Sequence, residues 1–367
     1  MQKRYLVLED GRIFGGFAFG AAAIGRAAGE VVFTTNMTGF TETVTDPAFA
    51  GQIVVQTFPL VGNCGVNEAD LEGPAPVLAG YVVKEACAAP SHFGCEETLD
   101  AFLARRGVPG IWGVDTRALT KLIRSEGTLR GMLCDDANAA FISNESSRVD
   151  AMARVSAKEP ALYPAEICKG KLLLWDFGVR RSTLRWLNEK GYDVTVVPYF
   201  WSAAQVLAEK PDCILLPNGP GNPSTYPAIV EEIKELLGAS AAIFAFGLGH
   251  QLLALANGGK TAALPYGHRG GCPVKDAATG STYITGQNHG YFVSECPANA
   301  QVRYINANDQ TCEGLDYQNG SFSVQFKPES CGCARDAEAL FSRIAALVSG
   351  SPQNPRILWG ELKRGNA

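Results

Sequence analysis

From residue 171 onward the chain alternates short apolar runs with segments that carry one apolar face. The runs are residues 172–175, 194–197, 213–216 and 241–246. Segments 180–190, 202–210, 229–237 and 251–257 follow them in turn, each with helical spacing of its apolar positions. Runs this short and this apolar read as strands buried on both faces. A helix between each pair of strands forces a parallel, doubly wound sheet, whose ligand sites lie beyond the carboxyl ends of the strands.

The last of these runs leads into Gly247-Leu248-Gly249-His250-Gln251. A strand, a tight turn and a helix in immediate succession make the geometry of a nucleophile elbow. There a reactive side chain sits on a strained turn above a helix N-terminus. Residue 247 has no side chain, although glycine suits the strained turn itself. Two other segments end strands in the same half. Asn218-Gly219-Pro220-Gly221-Asn222-Pro223 follows 213–216, and Lys327-Pro328-Glu329 follows 322–325. Glycines at 219 and 221 let backbone N–H groups approach an oxyanion, and the N–H of Leu248 offers a second donor.

Length and composition bound the remainder. A chain of 367 residues accommodates two domains. Hydrophobic content of 46% with 19% charged residues indicates a soluble globular chain. A net charge of −5 argues against nucleic acid or an anionic membrane as the main partner. No apolar stretch approaches the roughly 18 residues of a membrane helix. Residues 1–10 read as a first strand, not a signal peptide, so a cytoplasmic location is expected. The eleven cysteines are odd in number and scattered, which favours free thiols. Cys331-Gly332-Cys333 lacks a second pair at zinc spacing, so no metal site is expected. The first half, to about residue 148, mixes short strands and glycine turns with helices at 96–105 and 115–126. Residues 150–170, with Pro160 and Pro164, read as a connection.

Residues 244–251 resemble the F-G-x-C-L-G-H-Q elbow of class I glutamine amidotransferases. Residues 218–223 and 326–329 resemble that family's N-G-P-G-D-P and G-H-P-E segments. In the first half, 29–40 (Gly-Glu-Val-Val-Phe-Thr-Thr-Asn-Met-Thr-Gly-Phe), 45–47, 52–54, 62–67 and 113–120 are similar to the carbamoyl-phosphate synthase small subunit, as are 175–178. The resemblance covers nearly the whole chain. It implies a small-subunit N-terminal α/β domain at 1–150, a linker at 151–170 and a flavodoxin-like amidotransferase domain with a mainly parallel sheet at 171–360. A tail at 361–367 completes the division. In the family the small subunit hydrolyses glutamine and sends ammonia through a tunnel to a large subunit. That partner uses ATP and bicarbonate to make carbamoyl phosphate for arginine and pyrimidine synthesis. ATP and metal are therefore expected only in the large subunit, consistent with the lack of a phosphate-binding loop motif here.

Carried over by motif, the resemblance puts Gly247 at the position of the catalytic cysteine and Lys327 at that of the histidine base. Glu329 is retained. A lysine whose ordinary pKa is about 10.4 is a poor base for a thiol at neutral pH. Phe326 stands where the family has glycine and is expected to crowd the site. Asn36, Gly219, Gly221, Leu248, Gln251, Asn288, Gly290 and Tyr291 match positions that hold glutamine. Asn36 replaces a serine there, Arg180 a lysine and Asn222 an aspartate. His250, His268 and His289 lie in segments where the resemblance implies structural or pocket-forming roles. Cys331, two residues past Glu329, is the candidate for a substitute nucleophile, against the simpler reading of an incidental buried thiol. Three functions follow: a synthase subunit without glutaminase activity, a scaffold or glutamine-sensing protein outside the synthase, or a glutaminase with a substitute nucleophile.

Overall fold

The computed structural model describes residues 1–22, 27–142, 150–239, 241–331 and 334–349. It divides into two compact units: Met1–Val155 with Pro265–Gly270, and Ser156–Leu264 with Gly271–Ala367. The segment read as a connection carries a helix and a strand, and the division falls within it. The expected tail lies outside the described residues.

The first unit holds strands β1 (Lys3–Leu8), β2 (Ile13–Gly20), β3 (Ala27–Thr34), β4 (Ile53–Gln56), β5 (Leu60–Val61) and β6 (Gly80–Val82). Strands β7 (Glu85–Ala86), β8 (Pro109–Trp112) and β9 (Leu129–Cys134) follow. Its helices are α1 (Phe40–Thr45), α2 (Leu99–Arg105), α3 (Thr116–Glu126) and α4 (Ala151–Val155). Seven strands close a barrel in the order β1-β2-β8-β6-β4-β3-β9, which leaves no open sheet edge. The two-residue period of a strand explains its packing. Leu6, Leu8, Val31, Phe33, Ile53 and Val55 join Leu119 and Ile123 of α3 in one cluster. Val32 and Val54, between them in sequence, join Phe102 and Leu103 of α2 in another. Helix α3 begins where Asp115 accepts the Ala118 N–H at 2.9 Å, and it stops at Gly127, with φ 93°.

The second unit holds β10 (Ala161–Tyr163), β11 (Gly170–Asp176), β12 (Tyr192–Pro198), β13 (Cys213–Leu216), β14 (Ile243–Phe246) and β15 (Lys260–Asp276). Strands β16 (Thr282–Glu295), β17 (Ala300–Asn306), β18 (Cys312–Tyr317), β19 (Phe322–Val324) and β20 (Lys327–Cys331) complete it. Its helices are α5 (Arg181–Glu189), α6 (Ala203–Ala208), α7 (Pro227–Gly238), α8 (Leu248–Ala256) and α9 (Ala334–Val348). One sheet runs β10-β12-β11-β13-β14-β19-β18-β17-β15-β16-β20. The five neighbours β12, β11, β13, β14 and β19 are all parallel, as the strand–helix alternation requires. After α8 the strands follow one another through turns without helices, and their pairings become antiparallel. The flavodoxin-like core is thus extended by an antiparallel half. Within β15, residues 265–270 group with the first unit, where Tyr266 stacks on Phe33 at 6.0 Å between ring centroids.

Phe326 corrects an expectation. It is buried with 2% of its surface exposed, among Phe244, Phe322, Val324 and Leu340, and meets the Tyr304 ring edge-on at 5.6 Å. It fills the hydrophobic core and does not crowd the elbow. Among the described residues no helix is long and apolar enough to cross a membrane. Phe326→Ala should cost about 3–5 kcal/mol of stability, the usual range for emptying a buried phenylalanine site. Denaturant unfolding followed by circular dichroism measures it; a loss under about 1 kcal/mol would contradict this placement.

Candidate site at the strand-to-helix elbow

Gly247 links β14 to α8 with φ 59° and ψ −120°. That backbone is strained for any residue with a Cβ. The neighbouring space is also taken. A Cβ built on Gly247 would lie 2.3 Å from Asn218 Oδ1, 2.4 Å from its Cγ and 2.6 Å from its Cβ. The carboxamide of Asn218 thus fills the position of a side chain at 247.

The first amides of α8 each have an acceptor. Gly247 N–H donates to the Val324 carbonyl at 3.0 Å, and Gly249 N–H to the Pro217 carbonyl at 3.0 Å. Between them, Leu248 N–H donates to Asn218 Oδ1 at 3.0 Å. Unpaired amides at a helix N-terminus bind anions well; here an amide oxygen occupies the one that sequence reasoning offered to an oxyanion. Close packing makes the arrangement possible. A Cβ at Gly249 would fall 2.1 Å from the Leu216 carbonyl oxygen, and one at Gly219 would fall 2.4 Å from that of Phe177. Gly219 also adjoins Leu248, whose Cδ2 would be 3.0 Å from such a Cβ. Gly221 has φ 95°, beside Tyr226, whose hydroxyl donates to the Pro220 carbonyl at 3.3 Å. The Asn222 side chain accepts from Ser224 N–H at 3.0 Å and caps the short 3-10 turn that follows.

The other expected site residues are distributed as follows. Gln251, buried in α8, donates through Nε2 to the Tyr291 carbonyl at 2.7 Å and to Gln325 Oε1 at 3.0 Å. Asn288, Gly290 and Tyr291 lie in β16. In the same strand, His289 Nδ1 is 2.7 Å from the Tyr291 carbonyl oxygen, and its Nε2 is 2.6 Å from Gln287 Oε1. Gln287 in turn donates to the buried Glu313 carboxylate at 3.0 Å. Lys327 is half-buried and opens β20, opposite Gly286 of β16. Residues 327–331 therefore form an antiparallel strand of their own after β19. Asn36 belongs to the first unit, exposed; a Cβ on Gly270 of that unit would lie 3.2 Å from its Oδ1. The side chain of Cys331 lies outside the described residues.

Two features escaped the sequence reading. The Arg180 guanidinium pairs with Glu329 (Nη1–Oε1, 2.9 Å), the side chains being 11% and 4% exposed. A buried carboxylate requires such a partner, and the guanidinium fork supplies it. Asn218 as occupant of the elbow is the other. Its signal was the missing Cβ at 247, which leaves room for a neighbour. Asp176 holds the turn before Arg180 by accepting the Gly178 and Val179 amides at 2.9 and 2.8 Å, and its burial pushes its pKa up. His250 is fully buried; its Nδ1 lies 2.7 Å from Ser323 Oγ, and burial pulls its pKa down from 6.5 to about 3.

Residues 6–133 match the family described as "Carbamoyl-phosphate synthase small chain, CPSase domain", and residues 173–347 match "Glutamine amidotransferase class-I". A carbamoyl phosphate synthase small chain of Bacillus caldolyticus is 44% identical over 357 residues, covering 94% of this chain and 96% of its own. The chain of the same description from Clostridium perfringens (strain 13 / Type A) is 42% identical over 346 residues, covering 92% and 97%. Among solved structures, a glutamine amidotransferase from Thermotoga maritima shows a slight likeness. Its TM-score is 0.37 at 17% identity, over 53% of this chain and 90% of that one.

His250 gives a pH prediction. Its folded pKa, about 3, lies below the unfolded value of 6.5, so the unfolded chain binds one more proton between these limits. Stability from this residue is complete above pH 6.5 and falls as the pH drops toward 3. In His250→Asn the slope of unfolding free energy against pH in that window should shrink by up to one proton, about 1.4 kcal/mol per pH unit. Denaturant melts at a series of pH values test it; an unchanged slope would contradict it.

Proposed function

This chain belongs to the carbamoyl-phosphate synthase small-chain family, and on that premise we propose that it serves as a synthase subunit without glutaminase activity of its own. The supporting observation is the filled elbow: the Asn218 carboxamide stands where a nucleophile at 247 would project and accepts the Leu248 N–H. With glycine at 247 there is no thioester path from glutamine. The base position is Lys327, whose ordinary pKa is too high for it to take a thiol proton at neutral pH. Glu329, which in the resembling enzymes orients the histidine, is held by Arg180. The Gln251 amide, which the motif assigns to glutamine binding, is engaged by Tyr291 and Gln325.

The partner in this reading is the large subunit, which would bind ATP and metal and make carbamoyl phosphate from free ammonia. That product would feed arginine and pyrimidine synthesis. Purified with the large subunit from the same source, the complex should make carbamoyl phosphate with ammonium at a substantial rate and with glutamine only at background. Glutamine-driven turnover by a preparation free of other amidotransferases would overturn the loss of glutaminase. No complex at micromolar concentration would favour a scaffold or glutamine-sensing protein.

Restoring chemistry tests the same site. Gly247→Cys alone should stay at background, because no histidine is present at 327 to take the thiol proton. Gly247→Cys with Lys327→His and Arg180→Lys returns the base and puts the family's lysine in place of the guanidinium beside Glu329. Glutamate release should then exceed that of the single variant by about 10²- to 10⁴-fold, the usual contribution of a general base. Equal rates would mean that Lys327 is not a dead base. Phe326 is left unchanged because it belongs to the core.

A further inference from the structure

Thr285, Gln287 and His289 of β16 are buried, as are Asn306 of β17 and Glu313 of β18. Their hydrogen bonds fix which atoms carry protons. The Thr285 hydroxyl donates to the Cys272 carbonyl at 3.1 Å, so its oxygen can only accept, and it accepts from Gln287 Nε2 at 3.2 Å. The same Nε2 donates to Glu313 Oε2 at 3.0 Å. Asn306 Oδ1 accepts from Asn308 N–H at 3.0 Å, which leaves its Nδ2 to donate to Glu313 Oε1 at 2.8 Å. With its amide turned this way, Gln287 presents Oε1 to His289 Nε2 at 2.6 Å. On the other side of the ring, Nδ1 lies 2.7 Å from the Tyr291 carbonyl oxygen. Both ring nitrogens thus face acceptors. A neutral imidazole has one N–H and can satisfy one of them; an imidazolium satisfies both.

We infer that His289 is a buried imidazolium, paired through the Gln287 amide with the Glu313 carboxylate, and that its second ring proton is a pH-sensitive lock joining β16 to β18 and α8. Glu313 supplies the counter-charge. It is wholly buried, and amide donors reach both of its oxygens, which suits the ionised form. A carboxylate so placed needs a compensating charge, and the imidazolium provides it across one amide. The lock reaches α8 because the Tyr291 carbonyl also accepts from Gln251 Nε2 at 2.7 Å. Loss of the proton sets a nitrogen lone pair against an oxygen on one side of the ring, and that link opens. Elements beside β16 carry further titratable groups. Glu329 of β20 is paired with Arg180, and Lys327 stands opposite Gly286. His250 of α8 is bonded to Ser323. On β15 lie His268 and Cys272, the latter pushed up to about 11 by burial and so neutral. The folded chain holds the His289 proton more tightly than the unfolded chain. Its contribution to stability is therefore complete below about pH 6.5 and is lost as pH rises through the folded value, the reverse of His250.

The test is nitrogen–proton correlation NMR of the histidine rings in the full chain labelled with nitrogen-15 histidine, which contains four histidines. At about pH 7.5, above the ordinary histidine pKa of about 6.5, both ring nitrogens of His289 should carry protons. His250, held neutral by burial, should show one N–H and serves as the internal reference. The His289 signals are those lost in His289→Gln or, if that variant does not fold, those correlated with its backbone amide. Glu313→Gln removes the counter-charge and should leave His289 with a single N–H at the same pH. A singly protonated His289 ring in the wild-type chain, or two N–H groups retained in Glu313→Gln, would overturn the assignment. If Glu313→Gln does not fold, the wild-type spectrum decides it.

Discussion

The hydrogen bond from Leu248 N–H to the Asn218 side-chain oxygen holds the elbow in its present form. A buried helix N-terminus needs acceptors for its first amides, and each unmet one costs roughly 1–3 kcal/mol. Pro217 and Val324 offer backbone carbonyls to the neighbouring amides, and Asn218 offers its carboxamide to the middle one. That side chain can enter only because residue 247 has no Cβ. The same glycine therefore relieves a strained turn and admits the amide that closes the donor. An anion arriving at Leu248 would have to displace an internal group already well placed, at the cost of re-solvating it.

Charge follows the same logic beside α5. Glu329 is too deeply buried to remain an isolated carboxylate, and Arg180, just ahead of α5, neutralises it. Arginine keeps its charge at any ordinary pH and bonds in a plane, so it fixes the carboxylate in direction as well as charge. A base-orienting role would need that carboxylate to face an imidazole. The ion pair and the filled elbow thus support the same reading from separate elements.

The parallel half of the second unit was legible because its strands are apolar on both faces. Leu172, Leu174, Val194, Val196 and Leu215 all enter one core, and helices separate them in sequence. The antiparallel half was not, because β15 and β16 mix buried with exposed or half-buried positions and are rich in glycine and polar residues. Such strands lack a continuous apolar signal. The motifs located Gly219, Leu248 and Gln251 on the right elements. They could not tell that Phe326, in the bend between β19 and β20, turns into the core, because residues 327–331 pair as a strand of their own. Nor could spacing reveal Asn218 or Arg180 as occupants, since each depends on contacts distant in sequence.

The loan of residues 265–270 to the first unit bears on synthesis at the ribosome. A chain emerging N-terminus first exposes residues 1–155 long before Tyr266 arrives to cover Phe33. At about 5–20 residues per second, the intervening stretch takes roughly 5 to 20 seconds to appear. During that interval the barrel lacks its last strip of cover, and its apolar surface is open to wrong partners. Its folding is therefore tied to translation of the second unit, and a fragment cut at residue 155 would lack that strip permanently.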